Sequence, residues 1–421
     1  MRTLLWSDDL AATVAALRDF APSAIGVRAI VGAIVEDVRE RGDEAVKAHT
    51  ARLDRVDLPR DYAVPAGERR RALAELAPAL REALEIAAAN IREYHRRETP
   101  TPWRAVFPQG QAVGQEVVPL AVAGLYVPGG LANYPSSVLM TAIPAQVAGV
   151  GRIVACSPPR QDGCAAAGVA AACQLLGVDD LYPIGGAQAV AAMAYGTATV
   201  PRCDVIVGPG NAYVTEAKRQ VMGEVGIDGL AGPSEVLVVA DETASPEWLA
   251  ADLLAQAEHG AGSMACLADI GGTLGEAVGR EVDRLGSELG ITHENVAVVA
   301  CPDRSAAVAL CNVFGPEHLE LHVVDAAALV PAIRNAGAVF VGPYAATAFA
   351  DYAAGSNHVL PTGGSARFAQ GLSVAAFQKR VAVVELDRAA AAALAAHVAT
   401  IADEEGLRAH ARSARLRLHE E

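Results

Sequence analysis

Long apolar runs, basic patches and paired cysteines are all missing from this sequence of 421 residues. No uninterrupted apolar segment approaches the roughly 18 residues that a membrane-spanning helix requires, so we expect no membrane partner. The formal net charge is −15. A phosphate-binding surface needs a basic cluster, which is not visible here, so we also expect no nucleic-acid partner. The opening MRTLLWSDDLAATVAAL has one arginine and two aspartates, which is typical of neither a signal peptide nor a transit peptide.

The seven cysteines are odd in number and include no CxxC pair. A disulfide framework in a small secreted protein would call for an even set at regular spacing. Together with the acidic opening segment, this pattern predicts reduced, buried thiols in a cytoplasmic protein.

Two compact functional motifs are also missing. The segment Gly260–Ala265 has the glycine spacing of a dinucleotide fingerprint, but it follows a predicted helix rather than a strand. The fingerprint needs a strand before it, so we reject this segment. No HExxH pair marks a zinc-binding helix. Any cofactor or metal site must therefore come from dispersed residues.

The segments that are present alternate between strand and helix patterns. Residues up to about 20 read as a short helical lead, a helix opens at Pro22 and Ser23, and a second long helix covers about 65–97. From about residue 115, short β-branched runs such as RIVACSPP and SEVLVVAD each precede a helical pattern. This order predicts an α/β fold with two parallel-sheet, incomplete Rossmann-like domains and short helical segments at both termini.

The pattern suggests four stretches of chain, with the middle unit inserted into the main domain. They are an N-terminal helical segment (1–22), a main α/β domain (23–125 and 235–373), an inserted dinucleotide-binding α/β domain (126–234) and a C-terminal helical tail (374–421).

Three glycine-bearing loops follow predicted strands in the middle unit. They are Tyr126-Val127-Pro128-Gly129-Gly130, Gly185-Gly186-Ala187-Gln188 and Gly208-Pro209-Gly210-Asn211. Glycine lets the backbone approach a ligand, and free N–H groups at a helix start favour phosphate. On the residues alone, a dinucleotide site and a set of simple tight turns explain these loops equally well.

Nitrogen and oxygen ligands for a metal are scattered over three segments. Gln256 and His259 lie three apart at the end of a predicted helix, which would put both on one face. Asp351 and His358 share a glycine-containing loop, and His410 lies in the tail. Such a set without cysteine suits zinc or a similar ion. Each histidine taken alone is more often structural.

Glu317 and His318 follow a Gly-Pro turn. Neighbours after such a turn can project into one pocket, whereas neighbours within a strand point to opposite faces. A glutamate beside a histidine could divide general-base work between two protons, and a plain surface turn is the competing interpretation.

Taken together, these segments resemble the histidinol dehydrogenase family from about residue 25 to about residue 418. The segments that carry the resemblance, in the family's order, are GLYVPGG, IGGAQAVAAMAYGT, VGPGNAYVTEAKRQV, IDGLAGPSEVLVVAD, LLAQAEHG, FGPEHLEL, DYAAGSNHVLPTGG and LRAHARS.

The resemblance implies a role for each matching residue. The implied zinc ligands are Gln256, His259, Asp351 and His410. The implied catalytic pair is Glu317 and His318. The implied substrate contacts are the zinc ligands together with Ser234, His318, His358 and Glu405. The implied dinucleotide contacts are Tyr126, Gln188 and Asn211.

The resemblance further implies an NAD-dependent, four-electron oxidation of L-histidinol to L-histidine through L-histidinal. One zinc ion per subunit would anchor the substrate, in a homodimer whose tail reaches the partner's active site. Two alternatives remain at this point. One is a relative on the same fold that oxidises another polar alcohol, such as a sulfonated diol, and the other is a non-catalytic, zinc-stabilised binding protein.

Overall fold

A computed structural model describes residues 2–4, 6–19, 26–129, 133–178, 180–260 and 262–418. Within these ranges the chain forms two parallel sheets covered by helices and one small antiparallel sheet. The α/β fold class with two parallel sheets is confirmed. Pro22 and Ser23, where a helix was predicted to open, and Gly130 of the first glycine loop lie outside the described residues.

The elements follow the predicted alternation. The strands are β1 (Arg2–Leu4), β2 (Trp103–Val106), β3 (Ala112–Pro119), β4 (Val122–Tyr126), β5 (Arg152–Cys156), β6 (Asp180–Tyr182), β7 (Val205–Val207), β8 (Gly226–Ile227), β9 (Glu235–Ala240), β10 (Met264–Ile270), β11 (Val296–Cys301), β12 (His318–His322), β13 (Ala338–Val341) and β14 (Gln378–Glu385).

The helices are α1 (Leu10–Arg18), α2 (Arg28–Arg41), α3 (Asp43–Leu53), α4 (Ala66–Ala74), α5 (Pro78–Arg97), α6 (Pro135–Ala148), α7 (Ala167–Leu176), α8 (Gly186–Tyr195), α9 (Ala212–Val221), α10 (Pro246–Ala257), α11 (Gly275–Leu289), α12 (Arg304–Phe314), α13 (Ala326–Leu329), α14 (Thr347–Tyr352), α15 (Arg388–Glu404) and α16 (Arg408–Leu416).

Both parallel sheets reverse their strand order once. The six-stranded sheet runs β1-β11-β10-β9-β12-β13, and the five-stranded sheet runs β6-β5-β4-β7-β8. In each, the chain builds outward from a central strand and then crosses to the other side, between β9 and β12 or between β4 and β7. Ligands of open α/β sheets bind outside the carboxyl ends of the strands where the order reverses, and the five-stranded sheet offers such a position between β4 and β7.

The six-stranded sheet is buried on both faces. Leu319 and Leu321 of β12 lie on one face, in an apolar cluster with α1 and α12. On the other face β9 packs against α10 and α11. There β12 presents His318, Glu320 and His322 to the interior instead of apolar residues, and all three are buried. Polar groups inside such a core need specific partners.

The helices of residues 28–97 cover the five-stranded sheet. Helix α2 contacts α8 and α9, and α5 contacts α6. The predicted helix over 65–97 is in fact two helices, because Pro78 begins α5 after a break. The sequence pattern predicted that residues 23–125 belong to the main α/β domain, with 235–373. The four-part division stays a prediction, and this packing groups α2–α5 with the middle sheet.

The two terminal segments differ from the helical prediction. Residues 2–4 form β1, which pairs in parallel with β11 at the edge of the six-stranded sheet before α1 begins. In the tail, β14 pairs antiparallel with β3, because its run of valines suits a strand. Beyond it the tail is helical, and Gly406 at φ +73° ends one helix before the next begins. In the described part of the chain we find no helix with the length and apolarity to cross a bilayer.

Candidate active site

The reversal between β9 and β12 brings together residues that are far apart in sequence. Ser234 immediately precedes β9, and Glu317 immediately precedes β12, its neighbour in the sheet. The Ser234 hydroxyl donates to Glu317 Oε2 at 2.6 Å, and the backbone N–H of Glu235 donates to the same oxygen at 2.9 Å. Two donors therefore hold one carboxylate oxygen of Glu317 at the amino ends of both strands.

His318 lies beside this carboxylate and is 4% exposed. Its Nδ1 is 3.2 Å from the carbonyl oxygen of Glu235 and 3.6 Å from Glu317 Oε2. Because a carbonyl oxygen only accepts, Nδ1 carries a proton in this contact. Nε2 is 3.7 Å from Asp351 Oδ1 and has no hydrogen-bond partner in the described structure. The neutral ring would thus present Nε2 as a free proton acceptor.

The charges of this group act on one another. Burial raises the pKa of Glu317, more than the neighbouring His318 and the two donors lower it. Burial lowers the pKa of His318, but the carboxylates of Glu317 and Asp351 outweigh it and raise the value to about 9. Burial also works against the charged form of Asp351, yet the facing imidazoles of His318, His358 and His259 hold its pKa below the usual range. The buried pair and Asp351 are electrostatically coupled.

Gln256 and His259 do not share one helical face as predicted. Helix α10 ends at Ala257, so His259 lies in the turn beyond it and is exposed, whereas Gln256 is buried. The Gln256 amide oxygen is 3.5 Å from Ser234 Oγ, and its Nε2 has no partner among the described residues. The oxygen and nitrogen of such an amide are assigned from their contacts. A buried amide end is therefore free to meet a ligand.

His358 contacts the backbone of Asp351. Its Nδ1 is 3.0 Å from the Asp351 carbonyl oxygen, and its side chain is half-buried. This contact ties the loop after α14 to the end of that helix. The His358 ring is also close enough to the Asp351 carboxylate to lower its pKa.

Glu405 and His410 do not join this group within the single chain. Both are exposed on the helical pair α15–α16, whose own buried cluster consists of Ala399, Ala402 and Ala411. In the described residues, the ligand atoms of His259, Asp351 and His410 do not form a group within 4.8 Å of one another.

The described residues do contain one such group, and it is not the predicted one. Asp252, Glu320 and His322 place their ligand atoms within 4.8 Å of one another, and the last two lie further along β12 from His318. Sequence reasoning missed these residues because a buried strand face is usually apolar. The one visible signal was the alternation of polar or charged residues with leucine in HLELH.

Arg18 and Glu235 were also missed. Arg18 donates to both carboxylate oxygens of Glu235, at 3.3 and 3.1 Å, and to the carbonyl of Phe314. Glu235 also accepts from the backbone N–H of Gly363. This ion pair ties α1 to the strand that supports Glu317. Only the lone charge opening the apolar run EVLVVA hinted at it.

The three glycine loops meet at the carboxyl ends of the strands of the five-stranded sheet. The Tyr126 hydroxyl accepts a hydrogen bond from the backbone N–H of Gly186 at 3.1 Å. Gln188 Nε2 donates to Asp54 Oδ2 at 3.2 Å, and Gln188 Oε1 is buried without a partner. Asn211 caps α9 by accepting from two backbone N–H groups. The residues predicted to contact a dinucleotide therefore lie along one edge, at and beside the strand reversal.

Glycine is required where the first and third loops touch. A Cβ on Gly208 would lie 2.1 Å from the carbonyl oxygen of Tyr126, and φ of Gly208 is +114°. Beneath it, Lys218 and Asp228 form a buried ion pair at 2.7 Å, and each also bonds the Gly208 backbone. The loop is therefore held close against its neighbour, at the start of α9.

Comparison with known proteins agrees with this geometry. The Histidinol dehydrogenase family model matches residues 21–418. Histidinol dehydrogenase from Rhizobium meliloti is 48% identical over 93% of this chain and 92% of its own length. That of Synechococcus is 46% identical over 92% of each chain. The crystal structure of histidinol dehydrogenase from Elizabethkingia anophelis superposes with a TM-score of 0.94 at 33% identity, covering 99% of this chain and 98% of that one. The chain therefore belongs to the histidinol dehydrogenase family, a family of oxidoreductases of histidine biosynthesis.

Proposed function

We propose that this chain oxidises L-histidinol to L-histidine through L-histidinal, with two molecules of NAD as hydride acceptors and one zinc ion holding the substrate. The observation that carries the proposal is the buried Glu317–His318 pair, with the free Nε2 of His318 turned towards Asp351. The proposed compartment is the cytoplasm, in keeping with seven cysteines that form no disulfide.

The residues around Asp351 fit a zinc ion. Gln256 offers a buried amide end without a partner, and the Asp351 carboxylate carries a lowered pKa among three histidines. Oxygen and nitrogen donors are ligands that zinc accepts. Gln256, His259 and Asp351 would hold the ion within one chain, and His410 would complete the set. Bound zinc would fix the imidazole and amino groups of the substrate and would take no part in electron transfer.

His318 would act as the general base of both oxidation steps. In the first, Nε2 accepts the hydroxyl proton of histidinol while the carbinol hydride passes to NAD, which leaves the aldehyde. A positioned base of this kind contributes typically 10²–10⁴-fold to the rate. Asp351 is one of the two carboxylates that raise the pKa of His318. If the Asp351 carboxylate were a zinc ligand, its charge would be offset by the metal, and the pKa of His318 would fall towards the range in which the neutral ring can accept a proton.

Glu317 would activate the water of the second half-reaction. Its carboxylate takes a proton from a water molecule whose oxygen adds to the aldehyde carbon. His318 gives the proton that it took in the first step to the former carbonyl oxygen, so that the aldehyde becomes its hydrate and His318 is neutral again. His318 then accepts a hydroxyl proton of the hydrate as a second hydride leaves for NAD, which gives the carboxylate. Ser234 and the Glu235 N–H hold one oxygen of Glu317, so the other remains available for the water.

The glycine loops would bind the dinucleotide. Tyr126 and Asn211 stand beyond the carboxyl ends of β4 and β7, between which the five-stranded sheet reverses, and Gln188 stands beyond the end of β6 on the same edge. Open α/β sheets bind such ligands at this reversal. The orphaned Oε1 of Gln188 provides a buried acceptor for the cofactor.

A homodimer would supply the missing tail residues. Glu405 and His410 are exposed in the single chain, while the proposed zinc site lacks its fourth ligand. A two-fold dimer repeats the same contact in both directions. Each tail would then enter the partner's active site and bring Glu405 to the substrate and His410 to zinc.

The test is direct. Purified protein mixed with NAD and histidinol should form NADH, with two NADH for each histidine produced. A zinc-stabilised binding protein would form none. A sulfonated diol in place of histidinol should give no NADH, and preference for the diol would overturn the choice of substrate.

A further inference from the structure

A buried polar row extends along β12 away from His318. His318, Glu320 and His322 alternate along the strand, so their side chains share one face. Glu320 has no exposed surface and His322 is 2% exposed. The reaction proposed above uses only His318. The other two groups need a physical reason for being inside the core.

Glu320 makes hydrogen bonds or close polar contacts with both Thr347 and His322. One of its carboxylate oxygens, Oε1, accepts from both the backbone N–H and the hydroxyl of Thr347, each at 2.7 Å. The other, Oε2, is 3.2 Å from His322 Nε2. His322 Nε2 is in turn 3.8 Å from Asp252 Oδ2 on α10. One side chain thus connects β12 with α14 directly and with α10 through His322.

The contact of Glu320 with Thr347 lies at the first residue of α14. The helix has six residues, and no side chain caps it from Ala346. The first N–H groups of a helix lack partners inside it, and so short a helix is marginal without support. Glu320 fills this role from the neighbouring strand, and its negative charge suits the helix start.

Asp351 lies one helical turn after Thr347. Fixing the first turn of α14 therefore also fixes the position of Asp351. The Asp351 carboxylate lies 3.7 Å from His318 Nε2. The same Glu320 is two residues from His318 along β12. It therefore sets the distance between the strand that carries the base and the helix that carries the proposed ligand.

We propose that Glu320 is a positioning residue for the substrate-binding group, acting through Thr347 to hold Asp351 opposite His318. The inference rests on the proposed function. A displacement of about 1 Å in such a group can cost about a hundredfold in rate. Groups that orient metal ligands from behind typically change metal affinity or activity by about 10–100-fold when removed.

The test removes one hydrogen bond at the helix start. Thr347→Val keeps the shape and the backbone donor but loses the hydroxyl, and Thr347→Ser restores the hydroxyl. The matched control is Thr243→Val, because the Thr243 hydroxyl and N–H likewise donate to one carboxylate oxygen, that of Asp241, at the far end of β9.

Three quantities are measured on the full-length variants. They are zinc affinity against a chromophoric chelator, the KM values for histidinol and for NAD, and amide hydrogen exchange of residues 347–352. For Thr347→Val we expect about tenfold weaker zinc binding, about tenfold higher KM for histidinol, faster exchange of 347–352 and an unchanged KM for NAD. Thr347→Ser and Thr243→Val should match the parent protein.

A loss of thermal stability in Thr347→Val with unchanged zinc affinity and unchanged KM for histidinol would overturn the positioning role. Equal losses in Thr243→Val would do the same. Unchanged exchange of 347–352 would refute the inference even if the parent protein proved inactive on histidinol. An inactive parent with faster exchange in the Val variant would refute the proposed function alone.

Discussion

The residues expected to hold the substrate fall into two regions with opposite properties. Ser234, Gln256, Glu317 and His318 are gathered at the amino ends of β9 and β12, where Gln256, Glu317 and His318 are buried. The tail residues Glu405 and His410 are exposed on a helical pair whose buried cluster lies between its own two helices.

The comparison shows that a single chain buries the residues proposed as base and ligand and holds them by hydrogen bonds, whereas the proposed tail contacts stay exposed. A polar group inside a core is positioned by hydrogen bonds to its neighbours, whereas an exposed tail is positioned by the surface that it packs against. The following experiments separate what the buried region does alone from what it gains from the exposed residues.

Removing the metal should have the largest effect, because both regions would contribute ligands. Chelation should abolish histidinol oxidation, and His259→Ala should lose bound zinc on metal analysis. NAD affinity, measured by titration calorimetry, should stay nearly unchanged, since the glycine loops lie on another sheet. His293→Ala, which removes a histidine paired with the exposed Asp283 of α11, is the control. Full turnover by metal-free enzyme would contradict the anchoring role.

His318→Ala tests the buried region by itself. Turnover should fall by about two or more orders of magnitude, because one base serves both proton abstractions. Zinc content should remain as in the parent, since His318 is not a proposed ligand. Glu317→Ala should mainly slow oxidation of the aldehyde, which needs an activated water. Normal oxidation of histidinal by Glu317→Ala would disprove the division of labour between the two residues.

Mixed dimers test whether the exposed region serves the partner. His318→Ala and His410→Ala are each expected to be nearly inactive. When they are co-refolded, half of the dimers are mixed under random pairing, and one of the two sites in each has both a good base and a good tail. About a quarter of parental activity should return. If dimers form and exchange freely but no activity returns, each tail serves its own chain.

The smallest expected effect is the pH dependence of stability that comes from Asp252, which contacts His322 of the polar row. Burial raises the pKa of the Asp252 carboxyl to about 7, with Glu320 raising it and His322 lowering it. The unfolded value is about 3.9, so between these values the folded state keeps a proton that the unfolded state releases. The stability contribution of this group therefore declines as pH rises from about 4 to about 7.

Asp252→Asn cannot ionise, so its Tm relative to the parent should rise by a few degrees between pH 5 and pH 8. Asp283→Asn, an exposed carboxylate on α11, should show no such change. A Tm difference for Asp252→Asn that is equal at both pH values would show that this carboxyl keeps an ordinary pKa.

Much of this protein could be predicted from local patterns in its sequence. Apolar β-branched runs followed by helical patterns dictate parallel sheets, since each crossover covers a strand pair. The glycine loops at Gly186 and Gly208 were recognisable because they follow predicted strands, and the structure gives both glycines a positive φ. Glu317 and His318 were recognisable as a pair because they adjoin after a Gly-Pro turn.

Other features depended on contacts between distant segments. That Ser234 meets Glu317, and His318 faces Asp351, was decided by β12 pairing with β9 and by the start of α14. The sequence could not reveal that α10 ends before His259, because helix ends depend on packing as much as on residue type. The burial of Glu320 and His322 also depends on tertiary contacts. A charged residue in a strand enters a core only when another element supplies its partner, and here that partner lies on α14, twenty-seven residues along the chain from Glu320.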